Sequence, residues 1–253
     1  MLPVFEDRYP NFDGNRAYLH TNEEPDVFRA LLMEEGRPLV RTGGICSGGD
    51  VPMLALLPLS QEVVAIDHCY KSLGAAYMKA LLLADLGPVL LTDLLRVSNF
   101  SSIANSMGTL MPQVPSKLQA GAESLWKSFT PTSLYAVETM YKHWVTNTPQ
   151  SVLKDAYDKL DRIKFVHGDL RDLDGQFDIV YTSNAQDHDG RHGFTRRDNL
   201  VHILSQGGGL MTAGPYYQEP PSSDWKIVKS VRGKSTSWTH EIHRRKLVET
   251  VSK

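Results

Sequence analysis

Residues 37–83 read RPLVRTGGICSGGDVPMLALLPLSQEVVAIDHCYKSLGAAYMKALLL, and this stretch decides the fold. It resolves into an apolar strand, a glycine turn, a helix, a second apolar strand ending in Asp67, and a further helix. In the turn Gly43-Gly44-Ile45-Cys46-Ser47-Gly48-Gly49-Asp50, residues without a Cβ let the backbone reverse sharply and come close to a ligand. The helix start that follows offers backbone N–H groups without intrahelical partners. Val63-Val64-Ala65-Ile66 is a continuous apolar run, the pattern of a parallel strand buried on both faces. Asp67 lies 18 residues beyond Gly49, near the spacing at which a carboxylate takes a ribose diol in dinucleotide and adenosine sites. Turn and acid together predict a nucleotide-binding βαβ unit.

Working outward, Glu23 to Glu35 is expected to be a helix, with Asn22 as its cap, Pro25 in the first turn and Gly36 as its stop. Residues 1–20 show no sustained period and read as an arm or lid. Downstream, Leu73, Ala76, Tyr77, Ala80, Leu81 and Ala84 follow a helical series that predicts an amphipathic helix, ended by Gly87-Pro88. The next strand is Ile163 to Val166, so residues 88–162 form an insertion of about 75 residues where a doubly wound domain needs only a short connection. Leu134, Val137, Tyr141 and Trp144 mark one helix face in it, and Val152, Ala156 and Leu160 another. Val97 to Gln119, rich in Ser, Asn, Gly and Pro, is expected to be a loop.

Alternation then resumes. Ile163–Val166 runs into Gly168-Asp169-Leu170, and Phe177–Tyr181 into Thr182-Ser183-Asn184-Ala185-Gln186-Asp187-His188. In an open parallel sheet ligands lie beyond the carboxyl ends of the strands, so both exits should face the cavity of the glycine turn. Asp198 is expected to cap a helix reaching Leu204, broken by Gly207-Gly208-Gly209. Leu210–Ala213 then forms a strand, and Trp225–Val231 with Ser237–His243 a terminal hairpin.

Composition narrows the function classes. With 27 basic and 29 acidic residues the formal charge is −2, which gives no global footprint for nucleic acid or an anionic membrane. A small-molecule substrate is expected. Cys46 and Cys69 show no metal-ligand spacing, so neither a disulfide framework nor a metal site is predicted, and the chain reads as a cytoplasmic protein. No run approaches the ~18 apolar residues of a membrane span.

The order of glycine strand, acidic strand end, GDL, polar strand end, GGG strand and hairpin resembles the class I S-adenosylmethionine-dependent transferases over residues 36–86 and 161–245. The resemblance implies one α/β domain over 1–253 with the methyltransferase-like Rossmann fold, a mostly parallel seven-stranded sheet and the helical insertion 88–162. It implies that Ser47, Gly48 and Gly49 hold the methionine portion of the cofactor, with Gly43 and Cys46 among its further contacts. Asp67, with His68 beside it, would take the ribose, Asp169 and Leu170 the adenine, and Ser183 and Asn184 would close the site. The turn departs from G-x-G-x-G, and with the insertion and Ser183-Asn184-x-x-Asp187 it resembles more narrowly the 3-amino-3-carboxypropyl transferases of betaine-lipid synthesis. That likeness implies transfer of the aminocarboxypropyl group to an acceptor, or its cyclisation to azetidine-2-carboxylate without one, releasing methylthioadenosine. Methyl transfer releasing S-adenosylhomocysteine, and a nucleotide-binding module without catalysis, stand as alternatives. An NAD-dependent dehydrogenase is disfavoured by the missing G-x-G-x-x-G.

For the chemistry, Asn184, Asp187 and His188 follow the strand where an acceptor would meet the sulfonium. His188 has the reference pKa, about 6.5, of a base near neutrality. Tyr181, Arg191 and Arg197 are the expected substrate contacts, the guanidinium groups suiting a carboxylate or phosphate. Trp126, Tyr135, Tyr141 and Trp144 suit either a cage over a cation or ordinary core packing.

Overall fold

The computed structural model describes residues 2–11, 13, 18–20, 23–129, 134–183, 200–214, 225–233 and 239–245. Eight strands, β1 (Val4–Asp7), β2 (Leu39–Ile45), β3 (Ser60–Asp67), β4 (Ile163–His167), β5 (Phe177–Ser183), β6 (Leu204–Gly214), β7 (Trp225–Arg232) and β8 (Thr239–Arg245), form one sheet in the order β1-β4-β3-β2-β5-β6-β8-β7. The first six in that order are mutually parallel, while β8 runs antiparallel to both β6 and β7. The sheet has one strand more than the seven expected. The N-terminal segment supplies it, since Val4–Asp7 pairs with Lys164–His167.

Among the described residues six α-helices, α1 (Pro25–Met33), α2 (Tyr70–Arg96), α3 (Phe100–Leu110), α4 (Gln119–Ser128), α5 (Leu134–Tyr141) and α6 (Gln150–Asp158), accompany the sheet. α1 begins at Pro25, whose missing N–H costs nothing in the first turn, and Glu24 is its cap. The expected cap, Asn22, lies outside the described residues. After the glycine turn the helix is short and irregular. A π-helical turn over Pro52–Leu56 passes into a 3₁₀ turn at Leu57–Leu59, where Pro58 lacks the donor a regular helix needs.

α2 is not amphipathic. Every residue from Ser72 to Leu83 is buried, one side by the sheet and the other by the insertion. A Cβ on Gly74 would run into the carbonyl of Leu118, and one on Gly121 would stand 2.7 Å from the Cα of Lys71, so these two glycines let α2 and α4 touch backbone to backbone. Gly87 and Pro88 bend α2 rather than end it: Gly87 alone leaves helical geometry, at φ 70°, and the helix resumes to Arg96. Val97 to Gln119 is not a loop either. Asn99 caps α3 by accepting from the Ser102 N–H at 3.3 Å, and Ile103, Met107 and Leu110 put one face into the core. Likewise Gly208 and Gly209 lie inside β6, where a Cβ on Gly208 would sit 2.8 Å from the Phe177 carbonyl. Asp198, the expected cap upstream, lies outside the described residues. Among the described residues no helix is long and apolar enough to cross a membrane.

Candidate functional site

The carboxyl ends of β2, β3 and β4 meet at the glycine turn. Leaving β2, the chain passes Cys46, whose N–H donates to the Ile66 carbonyl at 2.8 Å. It then reverses through Ser47, Gly48 and Gly49 at φ 41°, 79° and 89°. Three consecutive left-handed residues are costly for side chains with a Cβ, and two of the three are glycine. Ser47 is held there by Asp67, whose carboxylate accepts the Ser47 N–H at 3.3 Å and the Cys69 N–H at 3.0 Å. The acid at the end of β3 thus ties the β2 turn to the start of α2. Asp67 is buried, and that burial pushes its carboxyl up to about 6, opposed by His68 and by the backbone donors of Cys69 and Ser47. Burial, then the charge of Asp67, also drives the Cys46 thiol well above its ordinary value, which suits packing rather than nucleophilic attack.

The glycines of the turn serve different contacts. On Gly48, a Cβ would stand 2.6–2.7 Å from the backbone of Leu19 and His20, so the N-terminal arm rests directly on the turn. On Gly49 it would stand 2.6 Å from the Cβ of Ala76 in α2. On Gly43 it would meet the ring of Phe177 at 2.8 Å, which makes Gly43 a packing residue within the sheet.

Sequence reasoning missed the centre of the site, Asp50. Its carboxylate is wholly buried and accepts from Lys79 Nζ at 2.8 and 3.0 Å and from Trp144 Nε1 at 2.8 Å, with His20 Nδ1 at 3.7 Å. Lys79 also donates to the Gly48 carbonyl at 2.9 Å. Burial opposes the charge on Asp50, yet Lys79 and His20 outweigh it and hold the carboxyl far below the usual carboxylate range. Burial, reinforced by Lys79, holds His20 down to about 4, so this imidazole is neutral at pH 7. The available signal was Lys79 itself, a lysine among the alanines and leucines of an apolar helix, with an acid directly after the glycine pair.

A second polar knot lies at the end of β1. Asp7 accepts from Lys117 Nζ at 2.7 Å and from Tyr70 Oη at 3.0 Å, and lies 3.0 Å from His167 Nδ1, while Tyr70 stacks on the His167 ring at 3.7 Å. The other nitrogen of His167 is 3.1 Å from the His68 carbonyl. The His68 side chain itself is exposed.

The remaining expected residues are dispersed. Asp169 caps a short 3₁₀ turn and receives Arg171 through its backbone N–H, Nε and Nη2 at 3.0, 2.9 and 2.7 Å; Leu170 packs at the edge of the smaller core cluster. Tyr181, expected to line the substrate wall, is a core residue, its ring edge-on to Phe28 at 5.3 Å. Ser183 is the last residue of β5, opposite Thr212. Asn184, Asp187, His188, Arg191 and Arg197 lie outside the described residues. Of the aromatic residues of the insertion, Trp144 is buried on Asp50, whereas Trp126 is partly exposed and donates to the Ala104 carbonyl at 3.0 Å. A separate cleft of about 660 Å³ lies beside the Asp169 turn, but its cations are engaged, Arg8 with Glu6 and Asp174, and Arg171 with Asp169. Among the described residues no group of His, Cys, Asp and Glu is placed to hold a metal.

No protein-family model matches the chain, and no curated protein matches it. Among solved structures, an rRNA methyltransferase from Streptomyces viridochromogenes superposes with a TM-score of 0.50 at 12% identity, covering 90% of this chain and 88% of that one. The fold is that of the class I methyltransferases. A magnesium protoporphyrin IX methyltransferase from Synechocystis PCC 6803 is also similar, with a TM-score of 0.47 at 14% identity, over 88% of this chain and 78% of that one. In the sheet β2, which leads into the glycine turn, lies between β3 and β5, and β1 is the edge strand beside β4, the strand that precedes Asp169.

Proposed function

We propose that this chain binds S-adenosylmethionine at the glycine turn and transfers a group from its sulfonium to a small molecule. The supporting observation is the seat of Asp67 on a class I fold. The buried carboxylate bridges two backbone N–H groups at the exits of β2 and β3, and an ionised carboxylate has about four acceptor sites. Those left over suit a ribose diol. Ser47, Gly48 and Gly49 would hold the methionine portion. With the Asp169 carboxylate taken by Arg171, adenine contact would fall to Leu170 and the backbone of that turn.

Bound there, the cofactor supplies an electrophilic carbon next to sulfur, and the carbon held in line with the nucleophile is the one transferred. The narrower proposal is use of the 3-amino-3-carboxypropyl group, by transfer or by cyclisation. It rests on Cys46-Ser47-Gly48-Gly49 standing where methyl-transferring relatives of the fold carry G-x-G-x-G. Asn184 and Asp187 would position the nucleophile, His188 would take its proton, and Arg191 and Arg197 would hold an acidic acceptor. The balanced charge of the chain favours a small acceptor over RNA.

Product identity is the test. Purified protein is incubated with S-adenosylmethionine, with and without small carboxylate and amine acceptors, and the nucleoside is identified by mass spectrometry. Methylthioadenosine is expected. S-adenosylhomocysteine in its place would move the assignment to methyl transfer, and tight binding without turnover would leave a nucleotide-binding module.

A further inference from the structure

Asp50 collects side chains from three parts of the chain that are far apart in sequence. Lys79 comes from α2 within the nucleotide-binding unit, Trp144 from the helical insertion and His20 from the N-terminal arm. Lys79 alone neutralises the carboxylate. The indole N–H and the imidazole are additional, and neither belongs to a strand of the sheet or to the βαβ unit.

The geometry links these contacts to the turn. Lys79 Nζ touches Asp50 and the Gly48 carbonyl together, at 2.8 and 2.9 Å. A peptide group is planar, so holding the Gly48 carbonyl also sets the direction of the Gly49 N–H on the opposite side of the same plane, which donates to the Cys46 carbonyl at 2.6 Å. The arm bears on the same peptide from outside, since Gly48 has room for the Leu19–His20 backbone only because it lacks a Cβ. Charge-assisted hydrogen bonds are short and directional, so the orientation of the Asp50 carboxylate is transmitted through Lys79 to the turn.

We infer that Trp144 and His20 are positioning residues for the ligand of the glycine turn, acting through Asp50 and Lys79. The insertion and the arm are thereby coupled to cofactor binding: when both are seated the turn is in its binding geometry, and by reciprocity a bound cofactor holds them seated. This rests on the assignment of the turn as a cofactor site.

The experiment compares wild type, Trp144→Phe, His20→Gln and Trp126→Phe by calorimetric titration with S-adenosylhomocysteine, alongside thermal unfolding without ligand. Trp126→Phe removes an indole donor from the same insertion without touching Asp50, and it should leave the dissociation constant unchanged. Trp144→Phe, which removes a hydrogen bond to a charged group, should raise it roughly ten- to 150-fold, and His20→Gln, which removes a 3.7 Å contact with the same carboxylate, should raise it severalfold. His20 lies outside every strand and helix, so its variant is expected to fold even if Trp144→Phe does not. Wild-type affinity retained in folded His20→Gln would overturn the inference and leave the cofactor assignment standing. Failure of the wild type to bind would overturn both.

Discussion

At the scale of single residues, two buried carboxylates sit at one turn and titrate in opposite directions because their partners differ. Asp67 has backbone donors and burial, and its carboxyl is raised to about 6; Asp50 has an ammonium and is driven down. If Asp67 takes the ribose diol as an anion, affinity for S-adenosylhomocysteine should be constant above pH 7 and should weaken as pH falls through 6. Asp67→Ala should weaken it by about 1.5–3 kcal/mol, the worth of a hydrogen bond to a charged group. An unchanged dissociation constant would remove the ribose assignment. For the other carboxylate, Lys79→Met leaves a buried charge without its main partner and should cost about 3–5 kcal/mol in denaturant unfolding. Asp67 was legible from sequence because its position follows from strand length and spacing. Asp50 and Lys79 were not, because their pairing depends on a helix register and on a single side chain of the turn, Asp50, facing inward.

At the scale of elements, three glycines on the insertion side of the sheet divide cleanly by what surrounds them. Gly108 lies inside α3 with open space where a Cβ would go, so Gly108→Ala should stabilise the protein by about 0.5–1 kcal/mol. Gly87 also faces open space but sits at φ 70°, so Gly87→Ala should destabilise it by roughly 1–2 kcal/mol. Gly121→Ala, in the closest part of the α2–α4 crossing, should cost about 1–3 kcal/mol or more through forced separation of two backbones. Midpoints of urea unfolding for the three variants should therefore move up, down and furthest down. Strand positions were readable because each central strand is an apolar run that only a doubly covered sheet explains. α3 was misread as a loop because Ser, Asn and Gly dominate its exposed face, while only Ile103, Met107 and Leu110 carry its helical period. The burial of α2 on all sides was hidden for a related reason: Gly74 and Gly121 are too small to register in a hydrophobic pattern, yet their smallness is what admits a second layer.

At the scale of the whole molecule, His20 and Asp67 make opposing contributions to stability against pH. His20 is depressed to about 4, so the folded state binds fewer protons than the unfolded one, and stability is lost as pH falls from about 6.5 to 4. Asp67 is raised to about 6, so the folded state binds more protons, and stability is gained as pH falls from about 6 to 4. The two should largely cancel, leaving wild-type stability nearly flat between pH 4.5 and 6.5, limits taken from those values. His20→Gln should uncover a rise on acidification and Asp67→Asn a fall. Parallel slopes in all three proteins would show that neither group governs this range.

The edge strand β1 carries a consequence for how the chain is made. Val4–Asp7 emerges ahead of the other described strands of the sheet, and its partner Lys164–His167 emerges some 160 residues later, after the whole insertion. At translation speeds of about 5–20 residues per second, β1 waits roughly 8–30 seconds for an edge to join. Only then is β1 fixed upstream of Leu19 and His20, whose backbone rests on Gly48. A nascent or truncated chain lacking β4 would own a complete glycine turn and no edge for β1 to join, so synthesis of β4 precedes the seating of Leu19 and His20 on Gly48.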